Sequence, residues 1–362
     1  MAEKMEAIGF TFHSIDGGYW DESARYCLTA GEVDQIEAAA KRCHDLALEV
    51  LDRTVQAGHL ERLGLDPAQI ALVEKSWQRR DPSIYGRFDF SWTPGGEPKL
   101  LEYNADTPTS LLEASVAQWY WLEEVLPGAD QFNRLHEALV EAWTDYGQRI
   151  GPGRRVVFSA AADSEEDGVT LHYLADTARQ AGLGVDLLAV EDLGWHDGAG
   201  RFVDLAGTPI DHWFKLYPWE WLTAEAFAPH LARNSMSILE PAWKLALSSK
   251  AILVLLHEAE PRHPHLLAAS LDRGSLSDRA VSKPFFGREG ANVVLPGQSH
   301  TDGPYGDQPR VFQEPAPLPV FAGRHTVAGA WIVNGQAAGL GFREDDGPVT
   351  RDTSRFVPHY FR

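Results

Sequence analysis

The sequence predicts a mixed α/β (α+β) fold, in which short strands pair with one another and pack against helices. Residues 155–190 read strand, polar loop, helix and strand, which is the order of a βαβ unit. Residues 85–104 and 327–345 each contain two strand-like runs around a Gly-containing turn, which is typical of antiparallel hairpins. The 362 residues are enough for two or three lobes around a sizeable core.

The helices are predicted from apolar residues at a spacing of three and four and from the residues that end each helix. In the predicted helix at 31–58 the apolar side chains fall on one stripe, and Gly58 ends the helix. The βαβ unit contributes a further helix, which Gly182 ends. The predicted helices cover residues 31–58, about 110–125, about 130–150 and 168–180, and the strands of the βαβ unit cover 155–160 and 185–190.

The last third of the chain is predicted to be rich in strands. Residues 280–295 read strand, loop, strand, and the strand at 311–313 runs into a connector broken by prolines, as at a hinge between lobes. Asn334-Gly335 is a strong signal for a two-residue hairpin turn. Residues 350–361 contain too many aromatic side chains to form a mobile tail.

Composition and charge exclude several classes of protein. Hydrophobic residues make up 44% of the chain, with 12 Trp, so a disordered protein is excluded. The formal charge of −20 would repel a phosphate backbone, so we expect no nucleic-acid partner, whereas cationic partners such as amines would be attracted. No apolar run approaches the roughly 20 residues of a membrane span, and we expect neither a membrane partner nor a secretory signal. With only Cys27 and Cys43, a disulfide framework is excluded and the expected location is cytoplasmic.

The most informative stretch is residues 83–110, which concentrates acids, one arginine and small hydroxyl residues. A hairpin here can bring Asp89 near Glu102 and Asn104, and oxygen ligands on rigid strands suit a hard cation such as magnesium. The presence of Arg87 and of the small-hydroxyl run Thr107-Pro108-Thr109-Ser110 favours a functional site in this stretch. The alternative is an edge hairpin whose charges are solvated.

A second stretch, residues 280–295, contains Lys283 at the end of a strand and Gly287, Arg288 and Gly290 in the following turn. Backbone amides of a Gly-rich turn, together with a lysine and an arginine, can hold phosphate groups. The stretch is not a Walker loop, because the pattern GxxxxGK[ST] does not occur in the chain. The alternative is an ordinary hairpin loop.

Three further segments allow both a functional and a structural interpretation. The acids of residues 163–167 follow a strand of the βαβ unit, where they form either a solvated helix N-terminus or a cation-binding lip. Lys250 is predicted in the first turn of a helix that Ser248 or Ser249 caps, against the helix dipole, so it is functional or merely solvated. The aromatic segment 211–222 is either core or the wall of a cleft.

Seven segments, in order over nearly the whole chain, form a set that is far more specific than any one of them. They are YWDESARY (19–26), YGRFDF (85–90), KLLEYNADTPTSLLEA (99–114), FKLYPWEW (214–221), ILEPAWKLALSSKAILVLL (238–256), SKPFFGREGANV (282–293) and SRFVPH (354–359).

This ordered set resembles the glutathionylspermidine synthase family of ATP-grasp ligases, and in particular its short members without the amidase domain, many of which are described only provisionally as acid–amine ligases. The resemblance implies an ATP-grasp fold with a pre-ATP-grasp region. It implies a substrate- and metal-binding region at 1–230 and nucleotide-binding lobes at 231–362, which together form one catalytic unit.

The resemblance also implies roles for individual residues. Arg87 and Arg288 would be catalytic, with Arg288 on a mobile loop that closes over the phosphates, and Mg²⁺ would be held by Asp89, Glu102 and Asn104. ATP, a co-substrate, would be bound by Lys250, Lys283, Gly287, Gly290, Gln313, Glu314 and Arg343. The substrates would be bound by Arg87, Thr107, Thr109, Ser110, Glu165 and Glu166.

The activity that the resemblance implies is an ATP-dependent carboxylate–amine ligase that works through an acyl phosphate and produces ADP. Its partners would be a small acid, such as a peptide carboxylate, and an amine, such as a polyamine. Two alternatives remain open at this point: a ligase that extends peptides or proteins, and a non-catalytic module that binds a nucleotide or a polyamine.

Overall fold

The computed structural model describes residues 2–233, 235–297 and 301–362. Its helices are α1 (Ala2–Ala7), α2 (Ala30–Ala57), α3 (Pro67–Gln78), α4 (Gln118–Val125), α5 (Leu135–Ile150), α6 (Glu165–Gln180), α7 (Trp219–Leu222), α8 (Ala228–Leu231), α9 (Trp243–Ser248) and α10 (Ile252–Ala259). A π-helical turn, Glu113–Ala117, leads directly into α4.

The strands of the first half are β1 (Tyr26–Leu28), β2 (Tyr85–Ser91), β3 (Lys99–Asn104), β4 (Arg155–Ala160), β5 (Gly184–Ala189), β6 (Gly194–His196), β7 (Arg201–Val203), β8 (His212–Leu216) and β9 (Ser237–Leu239). Those of the second half are β10 (Ala269–Ser270), β11 (Val281–Pro284), β12 (Arg310–Gln313), β13 (Val320–Phe321), β14 (Arg324–Val333), β15 (Gln336–Asp345), β16 (Arg355–Val357) and β17 (His359–Phe361).

The central sheet has the order β16-β15-β14-β2-β3, with β13 paired to β14, and its pairs are antiparallel. The predicted hairpins at 85–104 and 327–345 are confirmed, since β2 pairs with β3 and β14 pairs with β15. The turn between β14 and β15 has positive φ at Asn334 (47°) and Gly335 (75°), as a type I′ turn requires. Because this sheet combines strands from both sides of residue 230, the division into regions 1–230 and 231–362 stays a proposal.

The βαβ unit is confirmed: β4 and β5 are parallel and α6 connects them, within a sheet of order β5-β4-β8-β9. Helix α6 begins at Glu165, three residues before the predicted start. The Ser164 side chain accepts a hydrogen bond from the Asp167 amide, and acids in a first turn suit the positive end of the helix dipole. Much of the predicted acidic loop is therefore the first turn of a helix.

Helix α2 confirms the predicted helix at 31–58. Thr29 and Glu32 form a capping box at its start, and Gly58 follows its end with a φ of 69°. The predicted helix at 130–150 begins only at Leu135, because residues before it pair with strands: Asp130 bridges to Phe361 and Asn133 to Gly339.

The predicted hairpin at 280–295 is wrong in its second strand. Strand β11 pairs with β12, and residue Val294 contributes only an isolated bridge to Ser282. The physical reason lies in the intervening turn, where Glu289, Gly290 and Asn292 have positive φ and interrupt the extended backbone.

The prediction for Lys250 also needs a correction. Lys250 does not lie in the first turn of a helix but in the connection between α9 and α10. The Ser249 hydroxyl still accepts a hydrogen bond from the Ala251 amide (3.3 Å), and it donates to the Leu63 carbonyl (2.8 Å), which anchors this connection to the segment after α2. Among the described helices, none has both the length and the apolar character to span a bilayer.

Candidate active site

The hairpin of β2 and β3 brings the predicted metal ligands together. Asp89 lies opposite Glu102, and Arg87 lies opposite Asn104. Because side chains alternate between the two faces of a strand, residues two apart share a face, and all four side chains lie on one face of the sheet. Asn104 Nδ2 is 3.0 Å from Asp89 Oδ2 and 3.4 Å from Glu102 Oε1.

Cationic side chains surround these acids. The Arg87 guanidinium forms a two-pronged ion pair with Asp89, with distances of 2.6 Å and 3.0 Å. Lys250 Nζ lies 3.0 Å from Glu102 Oε2. Burial by itself would raise the pKa of Glu102, but Lys250 and Lys283 outweigh it and hold this pKa at about 2. Glu102 is therefore ionised at neutral pH.

The donor set fits a hard cation of the magnesium type. Asp89 and Glu102 supply carboxylate oxygens, and a 180° turn of the Asn104 amide would aim its oxygen at the same point. Within residues 2–233, 235–297 and 301–362, no group of three or more His, Cys, Asp and Glu side chains could hold a metal. The set reaches three protein ligands only through the Asn104 amide, so water and substrate oxygens would complete the coordination.

Lys283 joins the sheet of β11 and β12 to the edge of the central sheet. Its ammonium donates to the Leu101 carbonyl (2.9 Å) and to the Gln313 side chain (2.9 Å), and Gln313 donates in turn to the Leu100 carbonyl (3.0 Å). Burial lowers the pKa of Lys283 to about 8, although the Glu102 carboxylate opposes this shift.

One cleft runs between these two sheets and collects most of the predicted nucleotide-binding residues. In Glu314, however, the carboxylate points away and accepts hydrogen bonds from the Ser277 amide and hydroxyl (2.6 Å each). The lining of the cleft includes Asp89, Glu102, Lys250, Lys283, Gly287, Gly290, Gln313, Glu314, Val327 and Val349.

The turn from Gly287 to Gly290 lies against the rim of this cleft. Gly290 has a φ of 70°, and a Cβ atom there would lie 2.4 Å from Val349 Cγ1 and 2.6 Å from the Thr350 carbonyl oxygen. Only glycine fits at such a distance. The Lys250 ammonium donates to the Gly287 carbonyl (2.6 Å), so the same lysine contacts both the acid set and this turn.

Arg288 connects the turn to the far side of the site. Its guanidinium pairs with Glu220 Oε1 (2.8 Å and 3.0 Å) and donates to the Thr107 hydroxyl (2.8 Å). It also lies 5.4 Å from the centroid of the Trp221 ring. The aromatic segment 211–222 thus supplies a wall of the site, in addition to buried core residues.

The other hydroxyl residues lie beside Arg87. Its guanidinium donates to the Thr109 carbonyl, and Ser110 lines a small pocket together with Arg87 and Asp89. Ser110 has a φ of 66°, which is rare for a residue other than glycine, and its hydroxyl lies 3.0 Å from the Tyr19 hydroxyl.

Arg343 lies in this same small pocket and does not line the nucleotide cleft, in contrast to its predicted place. In the β14–β15 register Arg343 is opposite Val327, which lines both spaces. The Arg343 Nε atom is buried and has no partner among the residues that the structure describes, so it is available to a ligand on the side of Arg87 and Ser110.

Glu113 is a site residue that the sequence reasoning missed. It lies in the π-helical turn and is 1% exposed, and one of its carboxylate oxygens has no partner within the described part of the chain. Burial raises its pKa. Burial and then the Glu113 carboxylate raise the pKa of the half-buried Glu166 to about 8. A π-turn in an apolar run is a signal of function, but it is not readable from the sequence.

The two acids of the α6 first turn thus differ in their surroundings. Glu166 faces Glu113 and Arg343, whereas the exposed Glu165 accepts a hydrogen bond from the Thr11 hydroxyl (2.6 Å). Among the predicted substrate-binding acids, Glu166 is therefore the one beside the pocket of Arg87 and Ser110.

We expect Glu166→Gln to change how stability depends on pH. The folded protein keeps a proton on Glu166 up to about pH 8, whereas the unfolded chain loses it near pH 4.5, so this group lowers the free energy of unfolding as pH rises between those values. At pH 9 the variant should be more stable than the parent by about 1–3 kcal/mol, since one pKa unit is worth roughly 1.4 kcal/mol and solvent screens a half-buried group. Urea unfolding at pH 4 and pH 9 measures this, with Glu165→Gln as the control. An equal difference at both pH values would contradict the prediction.

A buried ion pair, also missed, holds the corner that carries Thr107. Asp106 Oδ1 lies 2.6 Å from Lys215 Nζ, and Asp106 Oδ2 accepts a hydrogen bond from the Trp219 amide (2.9 Å). The two charged side chains are 1% and 0% exposed. Because it joins residues 109 positions apart, the pair fixes the segment after β3 against β8.

Comparison with known proteins places this geometry in a family. A model of the glutathionylspermidine synthase preATP-grasp family matches residues 1–362. The chain is 39% identical to a Haemophilus influenzae protein that is provisionally named an acid–amine ligase, over 100% of this chain and 96% of that protein. It is 28% identical to trypanothione synthetase of Crithidia fasciculata, over 88% of this chain and 54% of that enzyme, so it spans about half the length of this relative.

Among solved structures, the chain is similar to a glutathione synthetase-like effector from Globodera pallida in its apo form. The TM-score is 0.59 at 11% identity, and the match covers 100% of this chain and 97% of the other. At this identity the similarity concerns the fold alone. With the family match, it confirms the predicted α/β (α+β) fold of the ATP-grasp type with a pre-ATP-grasp region.

Proposed function

The chain belongs to the glutathionylspermidine synthase preATP-grasp family, and we propose that it is an ATP- and magnesium-dependent ligase that joins a carboxylic acid to an amine. The single observation that supports this most is the cleft where Asp89 and Glu102 face Lys250 and Lys283. Acids for a metal and lysines for phosphates, side by side in one cleft, are what the binding of a metal nucleotide requires.

The proposed reaction has two steps. A carboxylate oxygen of the acid attacks the γ-phosphorus of ATP, the bond to the β-phosphate oxygen breaks, and ADP leaves. The amine nitrogen then attacks the acyl carbon, phosphate leaves, and the nitrogen loses a proton as the amide forms. The acyl phosphate is sensitive to water, so the site has to exclude water between the steps.

The cationic side chains of the site are suited to the first step, the transfer of the γ-phosphoryl group. Negative charge accumulates on the phosphoryl oxygens, and preorganised positive groups stabilise it without having to move. Arg87 and Arg288 are proposed as the catalytic pair, with Lys250, Lys283, Gly287, Gly290 and the Gln313 region at the nucleotide. Mg²⁺ would be held by Asp89, Glu102 and Asn104, and when bound it would supply further positive charge at the phosphates. Here Arg343 is assigned to the acyl substrate together with Arg87, Thr107, Thr109 and Ser110.

The second step needs an amine without its extra proton. Glu166 and Glu113 are the acids beside the acyl pocket, and a carboxylate whose pKa is raised to about 8 is suited to accept a proton near neutral pH. We assign the amine to this end of the site. A peptide carboxylate and a polyamine are the proposed substrate classes, in keeping with the names of the relatives.

An ADP-release assay tests this function. The protein is mixed with ATP and magnesium and with panels of peptide acids and of amines, and ADP is followed by a coupled enzyme while mass spectrometry detects the amide. We expect ADP and amide in equal amounts with at least one pair, and neither after chelation of magnesium. Absence of ADP with every pair, for folded protein that binds ATP, would refute the proposal.

A further inference from the structure

The cleft assigned to the nucleotide is nearly closed in this structure. Its volume is about 130 Å³, which is below the range of roughly 300–1,000 Å³ that is usual for small-molecule sites. The adjoining space between Asn104, Lys250 and Arg288 measures only about 30 Å³. A nucleotide therefore enters only if one wall of the cleft moves.

Residues 287–290, the Arg288 turn, form the wall that is best suited to move. The acid set and Lys283 lie on paired strands, whereas the Arg288 turn belongs to no strand or helix. Its base is fixed, because the Phe285 amide donates to the Pro309 carbonyl (3.0 Å) and the Phe285 carbonyl accepts from the Lys250 amide (2.7 Å). Movement of the turn would therefore begin after residue 285.

An ion pair holds the tip of the Arg288 turn against the opposite wall. Arg288 Nε and Nη2 donate to Glu220 Oε1 (3.0 Å and 2.8 Å), and Nη1 donates to the Thr107 hydroxyl (2.8 Å). A guanidinium carries five N–H groups, so two of them remain for a ligand. The pair can therefore persist while Arg288 contacts a phosphate group.

The acid of this pair is held rigidly. Trp219, the residue before it in α7, donates its amide to Asp106 Oδ2 (2.9 Å) and its indole N–H to the Glu240 carbonyl (3.0 Å). The side chain of Glu220 is only 11% exposed, and that of Arg288 is 26% exposed. A fixed, largely buried carboxylate thus faces an arginine on a segment that is able to move.

The geometry of the pair also allows it to open. Both N–H groups of Arg288 donate to the same oxygen, Glu220 Oε1, whereas Oε2 is buried and has no partner among the described residues. The strongest arginine–carboxylate pairs use both oxygens in a two-pronged fork. A contact through one oxygen is weaker, and this suits a pair that has to break and form again as a lid moves.

We propose that Glu220 is the positioning residue of Arg288. It holds the Arg288 turn closed when no nucleotide is bound, and the pair breaks each time a nucleotide enters or leaves. The part of this inference that concerns nucleotide entry rests on the proposed function, whereas the closure of the turn by Glu220 does not.

Hydrogen exchange without any ligand tests the closure. In Glu220→Gln we expect the amides of residues 287–293 to exchange about tenfold faster, because a neutral amide oxygen holds a guanidinium less tightly than a carboxylate does. In an Arg288→Ala background the same change should have no further effect, because the pair is already lost. Glu225→Gln is the matched control, since Glu225 accepts from the Tyr217 hydroxyl (2.7 Å) and not from Arg288.

Three results would overturn the inference. The first is equal exchange of residues 287–293 in Glu220→Gln and in the control. The second is an equal effect of Glu220→Gln with and without Arg288, since Glu220 would then act through the packing of α7. The third is faster exchange that extends equally to β14 and β15, because the substitution would then loosen the whole protein.

Stopped-flow binding of a fluorescent ATP analogue with magnesium tests the effect on nucleotide entry. We expect the association and dissociation rates of Glu220→Gln both to rise about tenfold, with a Kd that changes less than threefold. The reason is that the pair closes the turn in the free and in the bound protein alike, so its loss speeds both directions. An association rate equal to that of the parent would contradict the proposed role in entry.

The two proposals can fail separately. If the analogue binds to none of the variants and no acid–amine pair releases ADP, the ligase proposal fails, and hydrogen exchange alone decides the role of Glu220. If ADP is released but the exchange of residues 287–293 does not respond to Glu220→Gln, the role of Glu220 is refuted and the ligase proposal stands.

Discussion

Replacing Arg288 by Ala is expected to lower kcat by about 10³-fold or more while the protein stays folded, which is the usual range for removing an arginine that stabilises a transferred phosphoryl group. Arg288 sits on the turn beside the nucleotide cleft and reaches across to Thr107 and Glu220. Without it, the proposed lid loses both a cation and its contact with the substrate side. Water can then reach the acyl phosphate, so some of the ATP that is still consumed should give hydrolysis instead of amide.

The measurement is single-turnover ADP and amide formation with saturating substrates. Arg288→Lys is the informative partner, because it keeps the charge but cannot form the two-pronged pair with Glu220, and we expect intermediate activity. Arg279→Ala, at an exposed position, is the control for loss of a positive charge. A folded Arg288→Ala protein with the parent's kcat and amide yield would contradict the proposed role of this loop.

Replacing Lys215 by Met is expected to lower the free energy of unfolding by about 3–5 kcal/mol, as is usual when one partner of a buried ion pair is removed. Methionine keeps most of the aliphatic part of the lysine side chain but removes the ammonium, which also donates a hydrogen bond to the Tyr217 carbonyl (3.0 Å). Asp106 would keep its hydrogen bond from the Trp219 amide but would lose the cation 2.6 Å away. A buried carboxylate without a cation is costly because water cannot solvate it.

Urea unfolding at pH 7 measures the loss. The double variant Asp106→Asn with Lys215→Met should recover much of it, because both charges are then absent and an amide can still accept from Trp219. Lys41→Met is the matched control, since Lys41 pairs with Asp45 at the surface, and it should cost under about 1 kcal/mol. Equal losses for Lys215→Met and Lys41→Met would show that the buried pair does not anchor this corner.

The sequence alone predicted the hairpins β2–β3 and β14–β15, helix α2, the βαβ unit and the shared face of the acid set. These features depend on neighbours a few residues apart. The turn at Asn334-Gly335 fixes the β14–β15 pairing, and the two-residue period of a strand brings Arg87 and Asp89 to one face. The family resemblance then identified residues that proved to line one cleft.

Errors arose where distant contacts competed with local preference. Residues 130–134 could extend α5 by composition, but bridges to Phe361 and Gly339 keep Asp130 and Asn133 extended. Strand β11 pairs with β12 and not with the residues around Val294, which are nearer in sequence. The reason is that positive φ values in the turn before Val294 prevent a regular hairpin. Arg343, which was predicted at the nucleotide, lines the neighbouring pocket of Arg87 and Ser110, and its binding role stays a prediction.

The sequence by itself determined which chemical groups this protein carries and on which short elements they lie. Only the tertiary structure decided which of them meet. It brought Lys283 to the edge of β3, 182 residues away, buried Asp106 against Lys215, and enclosed Glu113 beside Glu166. The physical reason is that local geometry is fixed by the turn and the strand period, whereas the burial of a charge and the identity of its partner depend on how whole sheets and helices pack.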